Sequence, residues 1–198
     1  MRLLIFWDSI TEWYKDYKMW GWANRLKIYL WQLKTDVSAV NYGFSGFTTQ
    51  DVIGILDSFT KPWVSHWKQV AFLFAVGIND SMTNANTSQK RFTLQQFEQN
   101  ISELINLAQK YNPGYIKFLW LTKVNEELVY PRSEDGGGYQ NVRIQKFDDI
   151  LRQTATQNNC WYLKIFDLLS QDDLEDGLHP NPEGHQKIFE RVKEFVLN

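Results

Sequence analysis

The chain has 198 residues, of which 43% are hydrophobic, 16% aromatic and 22% charged. This length fits a single domain over residues 1–198, and the apolar content together with a net charge of −2 excludes an intrinsically disordered chain. With 21 Lys and Arg against 23 Asp and Glu, the sequence lacks the basic balance of nucleic-acid-binding proteins, so we expect no nucleic-acid partner. The single cysteine, Cys160, excludes a disulfide framework and a cysteine-based zinc cluster.

No apolar run approaches the ~18 residues that a membrane-spanning helix requires. The first apolar run, residues 3–7, is too short for the core of a signal peptide, and no small-residue cleavage site follows it. We therefore expect a cytoplasmic protein without an integral membrane segment.

Short apolar runs alternate with segments of helical periodicity, which is typical of a parallel sheet covered by helices. Because the runs are apolar at nearly every position, they favour strands that are buried on both faces. The predicted strands cover residues 3–7, 37–41, 70–76, 116–121 and 162–166, and the predicted helices cover 22–33, 92–111, 142–156 and 184–196. The sequence thus predicts an α/β protein, a three-layer α/β/α sandwich around five strands.

One long loop is predicted between the fourth strand and its helix, at residues 129–139. It contains a glycine triplet, residues 136–138, which has little intrinsic order. We interpret the segment as a surface linker, and a lid over a binding site is the alternative.

Polar residues follow four of the predicted strands. In an open α/β sheet, ligands bind beyond the carboxyl ends of the strands, so these residues are expected to meet at one edge. In chain order they are Asp8 and Ser9, then Gly46, then Asn79, and finally Asp176 with His179.

These residue types are the ones that acyl transfer requires. A serine hydroxyl such as that of Ser9 is a poor nucleophile until a base takes its proton, and His179 is the best candidate base. Asp176, three positions earlier, can hold the other ring nitrogen and stabilise the imidazolium. The Ser9 N–H, the Gly46 N–H and the Asn79 side-chain amide are candidate donors to a developing oxyanion.

In order and spacing, four blocks resemble those of the SGNH (GDSL-type) hydrolases: Asp8-Ser9-Ile10-Thr11, Gly46, Gly77-x-Asn79-Asp80 and Asp176-x-x-His179-Pro180. The resemblance extends from residue 3 to about residue 190. It implies a flavodoxin-like parallel sheet of order 2-1-3-4-5 and hydrolysis of small-molecule esters or thioesters. It also implies Ser9 as nucleophile, Gly46 and Asn79 as oxyanion partners, His179 as base and Asp176 as its orienting acid, with no metal or organic cofactor.

The sequence departs from the family pattern at Trp7, where the family usually has glycine before the Asp-Ser pair. Because an indole cannot adopt a positive φ without strain, this turn either uses ordinary backbone angles or presents the nucleophile differently. Further indoles, Trp13 and Trp20, lie in an aromatic stretch with charged neighbours that is too polar for the core. We expect Trp7, Trp13 and Trp20 to line the cleft and contact an acyl chain or the face of a sugar.

Each candidate residue also has a purely structural interpretation. Ser9 with Glu12 forms the pattern of a helix capping box, Asn79 is a common turn residue, and His179 could be an exposed histidine. The four blocks together favour catalysis. His185, at the start of the last helix, is expected to face solvent.

Three other functions stay open at this point. An acyltransferase would use the same residues, and a catalytically impaired carbohydrate- or lipid-binding module would keep the fold and lose the chemistry. A flavin-binding protein shares the architecture, but the first loop lacks the Ser/Thr run that would cradle a phosphate. The many aromatic residues leave room for a homodimer contact.

Overall fold

The computed structural model describes residues 1–12, 14–66, 69–83, 91–119, 121–131 and 137–197. Its centre is a five-stranded sheet of order β2-β1-β3-β4-β5 in which every pair is parallel. This confirms the predicted sheet and its order, and it brings the carboxyl ends of all five strands to one edge. The strands are β1 (Arg2–Trp7), β2 (Ser38–Gly43), β3 (Val70–Ala75), β4 (Ile116–Leu119) and β5 (Trp161–Leu163).

Helices cover the sheet in two packed groups, as a three-layer sandwich requires. One group pairs α2 with α7, and in the other α4 packs against both α3 and α6. The helices are α1 (Ser9–Glu12), α2 (Gly21–Gln32), α3 (Thr49–Val64), α4 (Leu94–Gln109), α5 (Glu126–Val129), α6 (Asn141–Gln157) and α7 (Pro182–Leu197). Within the described residues, no helix combines the length and the apolar character needed to cross a bilayer.

The core is centred on β1, β3 and β4, the three strands that are buried along most or all of their length. Phe6 pairs in register with Phe74 on the neighbouring strand, and their ring centroids lie 5.8 Å apart. Phe118 of β4 continues this row, with its centroid 5.2 Å from that of Phe74. Complete burial of these strands explains why their sequences are apolar without alternation.

Helix α3 and strand β5 show the largest differences from the sequence prediction. Helix α3 had no predicted counterpart, although Thr48 and Asp51 form a full capping box at its start. Strand β5 ends at Leu163, three residues before the predicted end, because only residues 161–163 pair with β4. Its edge position leaves Trp161 exposed.

The predicted loop 129–139 is described only at its two ends, since residues 132–136 lie outside the described residues. Gly138 forms an antiparallel bridge with Thr83, through N–H to carbonyl bonds of 2.9 and 3.0 Å. Tyr139 is buried and donates its backbone N–H to the Val129 carbonyl at 3.3 Å. The loop therefore returns into the core beside the functional edge of the sheet, and its action as a lid stays a prediction.

Candidate active site

Ser9 is the first residue of α1 and follows β1 after one residue. Asp8, in the capping position, accepts the N–H of Ile10 on its Oδ1 at 3.0 Å. The Ser9 hydroxyl instead lies 2.9 Å from Nε2 of His179. Asp8 thus caps the N-terminus of the helix, so the capping role considered for Ser9 does not apply. The Ser9 hydroxyl is therefore available to contact His179.

Helix α1 lies directly against the carboxyl end of β2. A Cβ atom at Gly43 would lie 2.7 Å from the backbone nitrogen of Glu12, so this close approach requires glycine. Nearby, the Asn41 side chain donates to the carbonyl of Thr11 at 2.9 Å. These contacts fix the helix that carries Ser9 on the sheet.

Asp176 and His179 form a compact unit after β5. Nδ1 of His179 lies 2.8 Å from Oδ2 of Asp176, and the backbone N–H of His179 donates to Oδ1 at 2.9 Å. Partial burial raises the pKa of Asp176, but the hydrogen bonds from His179 outweigh it and hold this pKa below its usual value. An ionised carboxylate can only accept, so Nδ1 carries the proton and Nε2 faces Ser9 as an acceptor.

The turn that carries this unit is tightly packed. Gly177 has a φ of +85°, and a Cβ atom there would lie 2.8 Å from Cβ of Leu128. Its carbonyl accepts the N–H of Asn125 at 2.8 Å, and the N–H of Glu175 donates to the carbonyl of His179 at 2.8 Å. The acid and the base are thus presented by one rigid segment.

Asn79 follows β3, and two hydrogen bonds fix its side-chain amide. Its Nδ2 donates to the carbonyl of Phe47 at 2.9 Å, and its Oδ1 accepts the hydroxyl of Tyr139 at 2.9 Å. The bond to Phe47 also joins Asn79 to the loop that contains Gly46. Sequence reasoning missed Tyr139, which lies 60 residues away and carries no motif.

Gly46 sits in the turn after β2 with a φ of +76°, a conformation that favours glycine. Apart from its two chain neighbours, no described residue has an atom within 4 Å of the position that the Gly46 Cβ would occupy, so the space beside it is open. Among the described residues, no acceptor takes the Gly46 N–H. The predicted oxyanion donors thus lie on neighbouring strand ends, and their role stays a prediction.

Two buried carboxyl groups lie below this edge. Complete burial and the nearby charge of Asp80 raise the pKa of Asp8 to about 7, against the opposing hydrogen bond from Ile10. Burial likewise raises the pKa of Asp80 to about 6, although Asp80 accepts hydrogen bonds from the backbone and hydroxyl of Thr49. Both groups anchor backbone next to the site.

A second serine–histidine contact provides an internal comparison. Ser65 Oγ lies 2.8 Å from Nδ1 of His66, but both residues are exposed. Among the described residues, no carboxylate bonds to His66, and its Nδ1 also faces the carbonyl of Pro62 at 2.8 Å. Only the pair of Ser9 and His179 combines partial burial with an acid behind the histidine.

A family model, GDSL-like lipase/acylhydrolase, matches residues 3–192. The chain belongs to this family. It is therefore an enzyme that hydrolyses esters, as the sequence resemblance predicted. No curated protein matches the chain.

Solved structures share the fold of this GDSL-family protein. An esterase, EstA, from Pseudoalteromonas sp. is 19% identical with a TM-score of 0.71, over 100% of this chain and 99% of that one. A lipase/acylhydrolase from Enterococcus faecalis is 17% identical with a TM-score of 0.73, over 98% and 94% of the two chains. An acetyl xylan esterase from Geobacillus stearothermophilus is 18% identical with a TM-score of 0.74, over 98% of this chain and 94% of that one.

Trp7, in the position of the family's usual glycine, belongs to the core. It continues β1 with ordinary backbone angles and is only 3% exposed. Its ring centroid lies 4.2 Å from that of Trp22 on α2. The expectation that Trp7 lines the cleft is therefore wrong, because the strand is buried on both faces and its last side chain packs beneath the site.

The aromatic stretch after α1 contributes a different residue to the site. Trp13 lies outside the described residues, and Trp20 is 51% exposed beside α2. Tyr14 is 43% exposed, and its ring centroid lies 4.6 Å from that of His179, in an edge-on arrangement. The stretch was expected to be too polar for the core, but one of its charged residues is buried. Asp16 forms a buried ion pair with Arg25.

His185 is fully buried, which corrects the expectation that it faces solvent. Its Nδ1 accepts the backbone N–H of Trp22 at 3.4 Å, so its Nε2–H donates to the carbonyl of Tyr14, also at 3.4 Å. Burial lowers the pKa of His185 to about 4, and the side chain is neutral near pH 7. It therefore holds the backbone of the tyrosine that packs against His179.

Proposed function

We propose that the protein is a serine esterase that works through an acyl-enzyme. The supporting observation is the continuous chain of contacts from Ser9 Oγ to His179 Nε2, at 2.9 Å, and from His179 Nδ1 to Asp176 Oδ2, at 2.8 Å. These distances allow His179 to remove the hydroxyl proton as Ser9 attacks, while Asp176 stabilises the imidazolium.

In the first half-reaction, Ser9 Oγ forms a bond to the carbonyl carbon of the ester, and its proton passes to Nε2 of His179. The tetrahedral intermediate collapses, the bond to the alcohol oxygen breaks, and the alcohol leaves with that proton. In the second half-reaction, a water molecule gives a proton to His179 and attacks the acyl carbon. The bond between Ser9 Oγ and the acyl carbon then breaks, the carboxylic acid is released, and His179 returns the proton to Ser9 Oγ.

The negative charge on the intermediate needs donors that are already in place. The Ser9 N–H lies in the first turn of α1, where helical N–H groups have no partner within the helix. The Gly46 N–H borders open space, and the Asn79 amide is fixed by Phe47 and Tyr139. We assign these three donors to the oxyanion hole.

Tyr14 supplies the wall of the substrate site beside the base. Its exposed ring contacts His179 edge-on, so it can pack against an acyl chain or a sugar that reaches Ser9. Trp20, further along the same stretch, is assigned to more distant parts of a substrate.

Covalent labelling tests the proposal. We would treat the wild type, Ser9→Ala and Ser65→Ala with a fluorophosphonate and locate adducts by mass spectrometry. Ser65 is the matched control, because it also contacts a histidine but has no acid behind it. Hydrolysis of p-nitrophenyl acetate is measured in parallel, with and without glycerol.

We expect one adduct on Ser9 in the wild type and in Ser65→Ala, and none in Ser9→Ala, which also loses hydrolysis. The absence of an adduct from the wild type would overturn the proposed acyl-enzyme on Ser9. Transfer of most acyl groups to glycerol rather than water would replace the esterase with an acyltransferase.

A further inference from the structure

A long groove lies between α2 and β2, at the edge of the sheet. It consists of two parts of about 630 and 500 Å³, the size range of ligand-binding sites. The two parts adjoin, because four residues border both of them. These shared residues are Arg2, Asn24, Lys27 and Ala39.

The groove is positively charged in a protein whose net charge is −2. Among the described residues that line it, the charged ones are Arg2, Lys27 and Lys34, all of them cations. Arg2 is held in place, since its Nη1 donates to Ser38 Oγ at 2.7 Å and its guanidinium lies 4.1 Å from the ring centroid of Trp63. Such a cluster attracts an anionic ligand.

Exposed indoles line both parts of the groove. Trp31, in the first part, is 80% exposed, and Trp20, in the second part, is 51% exposed. Flat aromatic faces beside cations fit a ligand ring that has an apolar face and a negative charge. A hexuronic acid has both, because one face of its ring presents C–H groups and its C6 is a carboxylate.

One residue of the second part contacts the helix that carries the proposed nucleophile. Asn41 lines this part, and its side chain donates to the carbonyl of Thr11 at 2.9 Å. Thr11 lies two residues after Ser9 in the same helix. A polymer in the groove therefore extends toward the helix that carries Ser9.

We propose that this groove binds an acidic oligosaccharide and holds it so that acyl esters on the same polymer reach Ser9. The second half of this statement rests on the proposed function. Single-stranded nucleic acid also combines negative charge with stacking rings. We favour the saccharide because nucleic acids carry no carboxylic ester for this enzyme to hydrolyse.

Calorimetric titration tests the groove independently of catalysis. The wild type and Ser9→Ala are titrated with hexagalacturonate, with the neutral cellohexaose and with hexathymidylate. We expect hexagalacturonate to bind both proteins with the same Kd, and its affinity to fall as NaCl is raised from 50 to 500 mM because salt screens the cations. Cellohexaose and hexathymidylate should bind at least tenfold more weakly.

Matched variants locate the site. Lys27→Ala/Lys34→Ala and, separately, Trp31→Ala should each raise the Kd for hexagalacturonate by roughly three- to tenfold. The controls are Lys146→Ala/Lys164→Ala and Trp161→Ala, which change exposed residues of the same types on α6 and near β5, at the opposite edge of the sheet. These controls should keep the wild-type Kd.

Three results would overturn the inference: no binding of hexagalacturonate, equal binding of cellohexaose, or tighter binding of hexathymidylate. A dimer in sedimentation that dissociates in Trp31→Ala would assign the groove to a second copy instead. Labelling of Ser9 without saccharide binding would leave the esterase proposal intact. Saccharide binding without labelling would retain the groove and remove its link to hydrolysis.

Discussion

Asp176 binds His179 twice, at the backbone N–H at 2.9 Å and at the ring Nδ1 at 2.8 Å. One carboxylate therefore fixes both the backbone position of His179 and the orientation of its ring. A spacing of three residues makes this arrangement feasible within a single turn. The orientation of His179 toward Ser9 thus rests on this local geometry, and the ring of Tyr14 adds a contact from a distant part of the sequence.

Replacement of Asp176 should strongly reduce catalytic activity. Asp176→Asn keeps the shape but can donate to Nδ1, which favours the tautomer with its proton on Nε2, facing Ser9. We expect kcat/KM for p-nitrophenyl acetate to fall by roughly 10³- to 10⁴-fold. The control is Asp172→Asn, an exposed acid nearby whose backbone carbonyl accepts from Asn181. Equal activity of Asp176→Asn and the wild type would contradict the assigned role.

The amide of Asn79 should contribute mainly to the transition state. Asn79→Ala is expected to lower kcat by roughly 10²- to 10³-fold with little change in KM. Tyr139→Phe keeps the ring but removes the bond to Oδ1 of Asn79, so kcat should fall by only about two- to tenfold. A rise in KM without a change in kcat in either variant would argue for ground-state binding instead.

His185 should act on catalysis through Tyr14. His185→Gln disturbs the bond to the Tyr14 carbonyl, and we expect kcat/KM to fall by roughly three- to thirtyfold. If the effect passes through the tyrosine, the double variant His185→Gln/Tyr14→Ala should lose little more than Tyr14→Ala alone. Additive losses would show that the two residues act independently, and far-UV circular dichroism checks that each variant is folded.

Trp7 should matter for stability. Trp7→Gly, which introduces the residue that the family usually has, removes a buried ring packed on Trp22 and should lower the free energy of unfolding by about 3–5 kcal/mol. Trp7→Phe should lose less, because it keeps a ring in place. The exposed Trp161 provides the control, and Trp161→Ala should lower the free energy of unfolding by less than about 1.5 kcal/mol. Urea denaturation followed by circular dichroism measures the free energy of unfolding of all three variants. A Trp7→Gly variant about as stable as the wild type would refute the packing role.

Asp8 should make stability depend on pH. Its pKa of about 7 in the fold exceeds the unfolded value of about 3.9, so the folded state binds more protons between these pH values. The stability of the wild type relative to Asp8→Asn should therefore be greatest below pH 4, fall as pH rises through 7, and level off above it. Asn keeps the cap and does not titrate.

The control for this pH series is Asp57→Asn. A hydrogen bond from the hydroxyl of Tyr111 lowers the pKa of Asp57, so this acid is ionised in both states above pH 5. The difference in the free energy of unfolding between the wild type and Asp57→Asn should therefore be constant between pH 5 and pH 8. Urea midpoints at one-unit steps give both curves, and a rising curve for Asp8→Asn would reverse the sign of the proposed effect.

The sheet was largely predictable because strands that are buried on both faces are apolar at nearly every position. The order of the strands came from the family resemblance, since periodicity carries no information about which strands are neighbours. Helix α3 has no predicted counterpart, although Thr48 and Asp51 signal its start, because Gly54 and Pro62 within it weaken the helical pattern. Trp7 was misplaced for another reason: its position beside Ser9 suggested the cleft, whereas its strand determines its burial.

The residues that support the site were the hardest to predict. Tyr139 reaches Asn79 from a loop 60 residues away, and His185 reaches Tyr14 across 171 residues. Contacts over such separations depend on tertiary packing, which no local pattern encodes. The proximity of Ser9, Asp176 and His179 was predictable because their spacing and order form motifs, and their catalytic roles stay a prediction.

Ser9 and His179 are separated by 170 residues. During synthesis on the ribosome, the Ser9 hydroxyl is therefore made long before the histidine that it contacts. Strand β1 also lies between β2 and β3, so it cannot be enclosed until residues up to 75 have emerged. Ser9 therefore lacks its contact with His179 for most of translation, and this contact can form only after residue 179 has emerged.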